Sequence, residues 1–353
     1  MYTLKDYGIV ALFCVGIIAL LSFHQKAESF GDIPPDSLLF VVPAGWPDPL
    51  YDFERNPLTQ EGFELGRALF YDPGLSRDST ISCASCHLVF TGFTHIDHAL
   101  SHGIEDRIGD RNTLAIINPA WQPNFRWDGG IDNIDEQPLD PLESPVEMDH
   151  DMKAIIAYLK ESKKYPEQFK AAFGARAKIT EKNLLKALSQ FMIRFVSCNS
   201  KYDKVMREEE GVSFNEREEK GLMVFRQHCA SCHTEPLFTN FSFQNNGLPI
   251  DTLLHDGGRI RVTGLEEDSL KFRVPTLRNI AVTYPYMHDG RFRSLQMVLH
   301  HYTAALDSTI NIAEQLREPL PLTEDDKRNL VIFLKTLTDR SFLYNPELRF
   351  PKK

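Results

Sequence analysis

Cys83-Ala-Ser-Cys86-His87 recurs letter for letter as Cys229-Ala-Ser-Cys232-His233. A Cys-x-x-Cys-His run is the attachment signature of a c-type haem. The two thiols add to the vinyl groups on one edge of the macrocycle, and the adjoining histidine supplies an axial nitrogen to iron. Paired thiols also bind zinc or form a redox dithiol. Neither rival needs a histidine directly after the second cysteine, and here it stands there both times. The reading is two covalent haem c groups per chain, one on Cys83, Cys86 and His87, the other on Cys229, Cys232 and His233.

A faint repeat precedes the two motifs. Glu64-Leu-Gly66-Arg-Ala-Leu-Phe70 lies before the first and Glu219-Lys-Gly221-Leu-Met-Val-Phe225 before the second. The shared Glu-x-Gly-x-x-x-Phe suggests two copies of one unit, each with a helix leading to its haem. In the first copy a loop, 71–82, intervenes; in the second, helix and motif nearly abut. Further helices are expected at 152–173 and 215–227. Another is expected where Leu184, Leu185, Leu188, Phe191, Met192 and Phe195 form one apolar face behind a Thr180 N-cap. Thr323-Glu-Asp-Asp326 resembles a capping box leading into Leu330, Phe333, Leu334 and Leu337. No alternating strand pattern is sustained. Stretches 100–146 and 234–293, rich in Gly, Pro, Asn and Asp, read as long ordered loops, which usually carry function. The expected fold is mostly α: two cytochrome c-like domains, each with one covalent haem, and an N-terminal hydrophobic helix. The boundary near 200–213 divides the body into 31–205 and 206–353.

The 353 residues suffice for two domains of ordinary size, and their net charge of −10 argues against a nucleic-acid partner. An acidic surface suits a basic partner such as a small cytochrome. Gly8–Phe23 carries no charge and follows Lys5, so residues 1–30 read as a signal peptide or an uncleaved membrane anchor. Both export the remainder, and covalent c-type haem is attached outside the bacterial cytoplasm. The expected location is therefore periplasmic, with an inner-membrane tether left open. Pro34, Pro35, Pro43, Pro47 and Pro49 make the next stretch an extended lead-in. Cys198, the odd cysteine of the exported body, reads as a small buried residue.

After the first haem motif come Phe125-Arg-Trp127-Asp-Gly, Glu136-Gln137, Pro141 and Pro145-Val-Glu147-Met148. Late in the chain come Pro275-Thr-Leu-Arg-Asn279 and Pro285-Tyr-Met-His288-Asp-Gly290. With the two haem motifs, this chain resembles the bacterial di-haem cytochrome c peroxidase family, including its MauG-type branch, from about Gly62 to Leu337. The resemblance implies reduction of hydrogen peroxide to water at the first haem, with electrons delivered through the second. Peroxide cleavage needs an open iron face, a base for the peroxide proton and a donor to the leaving oxygen. The resemblance assigns Glu147 as that base on the distal face, where burial would raise its pKa. Gln137 would hold the peroxide, Pro141 would pack on the distal side, and Trp127 would relay electrons between the haems. His102 matches the place of a distal ligand bound in the resting enzyme and released on activation; His95 and His98 are neighbouring alternatives.

The second haem of the peroxidases usually carries a methionine. The family register here reaches Tyr302, the residue of the MauG-type branch, with Met287, Met297, His300 and His301 as alternatives in other registers. A phenolate stabilises ferric iron and lowers the potential, which favours oxidation of a protein or another donor over reduction by an ordinary cytochrome c. The resemblance further implies a calcium ion between the domains, held by the Asn112 side chain, the carbonyls of Thr283 and Pro285, and water; it also admits a homodimer. Three functions follow: a peroxidase, a MauG-like oxidant of a protein or other donor, and a non-enzymatic di-haem electron carrier, which would need neither Glu147 nor Gln137.

Overall fold

The computed structural model describes residues 40–304 and 311–351. The N-terminal hydrophobic segment, and with it the choice between signal peptide and anchor, lies outside the described residues. Among those described, no helix is long and apolar enough to cross a membrane.

The longer helices are α1 (Gln60–Phe70), α2 (Met152–Glu161), α3 (Tyr165–Phe173), α4 (Glu181–Ile193), α5 (Glu216–His228), α6 (Leu295–Thr303) and α7 (Glu324–Lys335). Their starts follow the sequence. Thr180 caps α4 by accepting from the Asn183 nitrogen, and Thr323 with Asp326 closes a capping box on α7. The helix expected over 152–173 is instead two. Ser162 turns extended, and Pro166 in the first turn of α3 has no N–H to continue the ladder. Among the described residues strand content is confined to β1 (Phe243–Gln244) and β2 (Phe272–Arg273), paired antiparallel, with Phe243 opposite Arg273.

Two apolar cores organise the body. The first gathers α1 to α4 around Leu65, Phe70, Phe93, Phe191 and Phe195; the second gathers α5 to α7 around Phe225, Phe238, Phe333 and Leu337. The duplication extends well beyond the haem motifs. Gly66 of α1 lies on the Ala187 carbonyl and the Phe191 Cβ of α4, and Gly221 of α5 lies on the Asn329 carbonyl and the Phe333 Cβ of α7. A Cβ at either glycine would overlap main-chain atoms, so glycine sets how closely the helices cross. Asn118 and Asn279 both adopt positive φ. Each then donates its nitrogen to a residue just beyond the partner helix, Phe195 at 2.8 Å and Leu337 at 3.0 Å. Each also accepts, on its side-chain oxygen, a main-chain N–H at 2.8 Å, from Ser197 and Asp339 respectively. Ser197 and Asp339, equivalent in the two halves, hydrogen-bond each other at 3.2 Å.

The last stretch joins the first core. Beyond Leu337 the chain returns to the first core, where Phe342, Leu343 and Leu348 are buried. Tyr71 donates to the Leu348 carbonyl at 2.7 Å, and Arg67 to that of Glu347 at 2.9 Å.

Candidate active site and its two cavities

Each haem motif opens onto its own cavity. Cys83–Cys86 forms a single helical turn, from which His87 emerges with its Nδ1 2.6 Å from the Phe93 carbonyl. That bond makes Nδ1 the protonated nitrogen and leaves Nε2 with a free lone pair. The Nδ1 of His233 has the same environment, 3.2 Å from the Phe238 carbonyl and 3.1 Å from that of Pro275. Burial lowers the pKa of both imidazoles, His233 to about 4, so both stay neutral as ligands must. Burial also raises the Cys83 thiol to about 12 and Cys86 to about 11, the reverse of a low-pKa redox dithiol. Among the described residues no three His, Cys, Asp or Glu side chains are grouped to hold a metal ion, and the two cysteine pairs face separate cavities. Two thiols and one neutral imidazole nitrogen beside an apolar cavity, twice over, fit covalent haem.

The first cavity, about 320 Å³, is lined by Cys83, Cys86, His87, His102, Trp127, Gln137, Pro141 and Glu147. All the residues assigned to peroxide chemistry thus share one space. Glu147 is placed by a turn whose nitrogen bonds the Ser144 carbonyl at 3.0 Å, while its own carbonyl accepts from Ile104 at 2.9 Å. Gly103 permits that approach, since a Cβ there would strike the Glu147 main chain. Burial, reinforced by Asp140 and opposed by Arg126, pushes the Glu147 carboxyl up to about 7. The His102 carbonyl lies 3.3 Å from the Cys86 sulfur, and its ring stacks on His98 at 3.9 Å. His98 in turn stacks on His95 at 4.9 Å. Of these three histidines, His102 alone lines the cavity.

The second cavity, about 230 Å³, is lined by Cys229, Cys232, His233, Met287 and Tyr302 among others. Burial holds the Tyr302 phenol up at about 12; a nearby cation would be needed to ionise it. Met297 is 44 % exposed on the far side of its helix. His301 bonds the Asn246 carbonyl at 2.9 Å, and neither it nor His300 lines the cavity. Met287 does line it, its sulfur accepting from Asn246 at 3.3 Å. Asn112, Thr283 and Pro285 also line this cavity. The Asn112 Nδ2 is taken up by the Ala99 carbonyl at 2.8 Å, which turns its Oδ1 away from that bond.

Trp127 and Arg273 line both cavities. Trp127 donates its indole N–H to the Asn112 carbonyl at 2.9 Å, and the Asn112 nitrogen donates to the His288 carbonyl at 2.6 Å. His288 is the counterpart of Trp127 in the second half. Phe125 pairs with Ile131 and Tyr286 with Phe292 in matching bridges. Arg126 and Met287 take positive φ, and Asp128 and Asp289 each cap the nitrogen two residues on. The sequence signal for this pairing is aromatic-x-x-Asp-Gly, present at 125–129 and 286–290. The His288 ring stacks on Phe272 at 3.7 Å, with ring planes 10° apart. Arg111 clamps the Trp127 turn, bonded to Asp128 at 2.5 Å and to Asp256 at 2.7 Å. Burial opposes its charge, but the two aspartates more than offset that and hold it above its usual range.

Residues 60–211 match the family model described as di-haem cytochrome c peroxidase. The chain is 31% identical to methylamine utilization protein MauG of Methylorubrum extorquens, with 92% of each chain covered. It is 33% identical to cytochrome c551 peroxidase of Nitrosomonas europaea, covering 78% of this chain and 79% of that one. Among solved structures, a MauG-like protein associated with microbial copper homeostasis superposes with a TM-score of 0.81 at 29% identity, over 89% of this chain and 99% of that one.

Proposed function

The chain belongs to the di-haem cytochrome c peroxidase family, which includes the MauG branch, and on that premise we propose that it is a periplasmic peroxidase reducing hydrogen peroxide to water in the first cavity. Its electrons come from a small redox protein such as a cytochrome c, with the second cavity as their point of entry. Two c haems bound at the paired motifs supply the iron redox chemistry. The chain's own residues manage protons and position.

One observation carries the reading. Glu147, with its carboxyl pushed up by burial, shares a cavity with Gln137, His102 and the first haem motif. Hydrogen peroxide takes two electrons and two protons to give two waters. A carboxylate near neutrality accepts the proton of one peroxide oxygen and returns it to the departing one. Gln137 holds the peroxide by hydrogen bonds, and Pro141 packs on the same side of the cavity. His102, which lines the same cavity, would be the residue that holds the first haem's iron at rest and releases it on activation. Trp127 spans the wall between the cavities, and its indole, anchored on Asn112, is the electron relay. Asn112, Thr283 and Pro285 are assigned to a calcium ion along that wall.

A second reading is oxidation of a protein side chain or another donor, as in the MauG branch. Tyr302 favours it, because this residue lines the second cavity whereas Met297 lies at the surface. Peroxide consumption by the haem-loaded protein, with a reduced cytochrome c as donor, tests the proposal. Turnover of both reactants supports the peroxidase. Peroxide consumption without cytochrome oxidation supports the second reading, and no consumption by fully loaded protein leaves an electron carrier.

A further inference from the structure

Arg273 is a buried cation for which the described residues supply no anion. It lies in β2 and is 4 % exposed. Its main-chain nitrogen donates to the Trp127 carbonyl at 2.7 Å and its Nε to the Arg126 carbonyl at 3.2 Å. Both acceptors are neutral. Among the described residues no carboxylate comes within ion-pair distance, and its two terminal nitrogens find no protein acceptor. The other deeply placed arginines differ. Arg278 is locked to Asp203 at 2.7 Å, and Arg111 to Asp128 and Asp256. Fully buried arginine without a partner is rare, because desolvating the charge is costly. That cost registers as a guanidinium lowered to about 10 by burial, with nothing to offset it.

The position of this cation bears on what completes it. Arg273 lines both cavities, beside Trp127, in the wall that they share. A haem fixed by its vinyl edge to the cysteines carries two propionate carboxylates on the opposite edge. We propose that Arg273 is the receptor for a haem propionate, an anion that enters the protein only with the cofactor. The planar fork of a guanidinium matches a carboxylate by two parallel hydrogen bonds. Arg273 is then a positioning residue: its backbone holds the Trp127 carbonyl while its side chain holds the haem edge next to that indole. The inference rests on reading both cavities as haem sites.

The test uses the haem-loaded full chain and its Arg273→Gln and Arg273→Lys variants. A pyridine haemochrome assay first counts the haems. Resonance Raman spectra then report the propionate bending modes, and spectroelectrochemistry the two reduction potentials. In Arg273→Gln the bending mode of one haem should move to lower frequency and the potential of that haem should fall, since a positive charge that favours ferrous iron is gone. Arg273→Lys should keep the potential near the parent value but still shift the mode, because a point donor replaces a fork. If the glutamine variant fails to mature, the lysine variant decides through that mode. Two attached haems with propionate modes unmoved in the variants overturn the inference alone. Fewer than two haems in the parent overturns the haem reading and the inference with it.

Discussion

The indole nitrogen of Trp127 donates to the main-chain oxygen of Asn112 across 2.9 Å. This bond holds a readily oxidised ring in the wall between the two cavities. Trp127→Phe keeps most of the packing and removes both the bond and the easily oxidised ring. Steady-state peroxide turnover should fall at least about tenfold, a barrier increase of about 1.4 kcal/mol, while both haem spectra persist. Unaltered turnover would refute the relay.

The two cysteine pairs face separate cavities, so haem loading should be independent at each. The parent should bind two haems that resist extraction by acid acetone. His233 replaced by Gly should abolish the low-spin signal of one haem, and His87 replaced by Gly should remove peroxide reactivity. A parent with one haem, or with extractable haem, contradicts the assignment.

Glu147 is a base only when ionised. With its carboxyl near 7, peroxide reactivity should rise as pH passes upward through about 7 and level off above. Glu147→Gln removes that limb and lowers turnover by about 10²- to 10⁴-fold, with both haems intact by absorption spectroscopy. A variant as active as the parent at pH 8 rules out Glu147 as the base.

Tyr302 lies against the second haem motif, with a phenol that burial keeps protonated in the absence of a cation. If it binds iron as phenolate, Tyr302→Met should raise the potential of the second haem, because a neutral thioether favours ferrous iron. The variant should then accept electrons more readily from a high-potential cytochrome c. A parent potential already at the methionine-ligated level, unmoved by the substitution, would return the ligand to Met287.

Gly221 lies on the Asn329 carbonyl where α5 crosses α7. Gly221→Ala forces the helices apart and should cost about 1–3 kcal/mol, the usual penalty of overpacking. Thermal unfolding of the haem-loaded protein measures it. An unchanged midpoint would mean that the crossing relaxes freely.

The helices were legible because local rules govern them. Thr180 and Thr323 announce their helices through side chains that bond three residues on. The constellation of Trp127, Gln137 and Glu147 was legible through its spacing and its likeness to a family, not through periodicity. Arg273 was not. A lone arginine between Phe272 and Val274 carries no local signal, and only the tertiary fold reveals that no carboxylate of the described residues reaches it. The match between the Trp127 and His288 turns was hidden for another reason. The backbone conformations are shared at Arg126 and Met287, and the common side chains reduce to an aromatic, an aspartate and a glycine, while Trp127 and His288 themselves differ. The break at Ser162 was missed because the apolar pattern runs on across it, although Pro166 marked it.

The return of Phe342, Leu343 and Leu348 to the first core separates the order of synthesis from the order of completion. A ribosome delivers Cys83 and Cys86 long before the residues that seal the core behind them. The first core therefore lacks Phe342, Leu343 and Leu348 until they are made, while the second, among the described residues, has its core members by Leu337. Loss of the final dozen residues is then a lesion of the N-terminal half, felt at the greatest distance in sequence from where it was made.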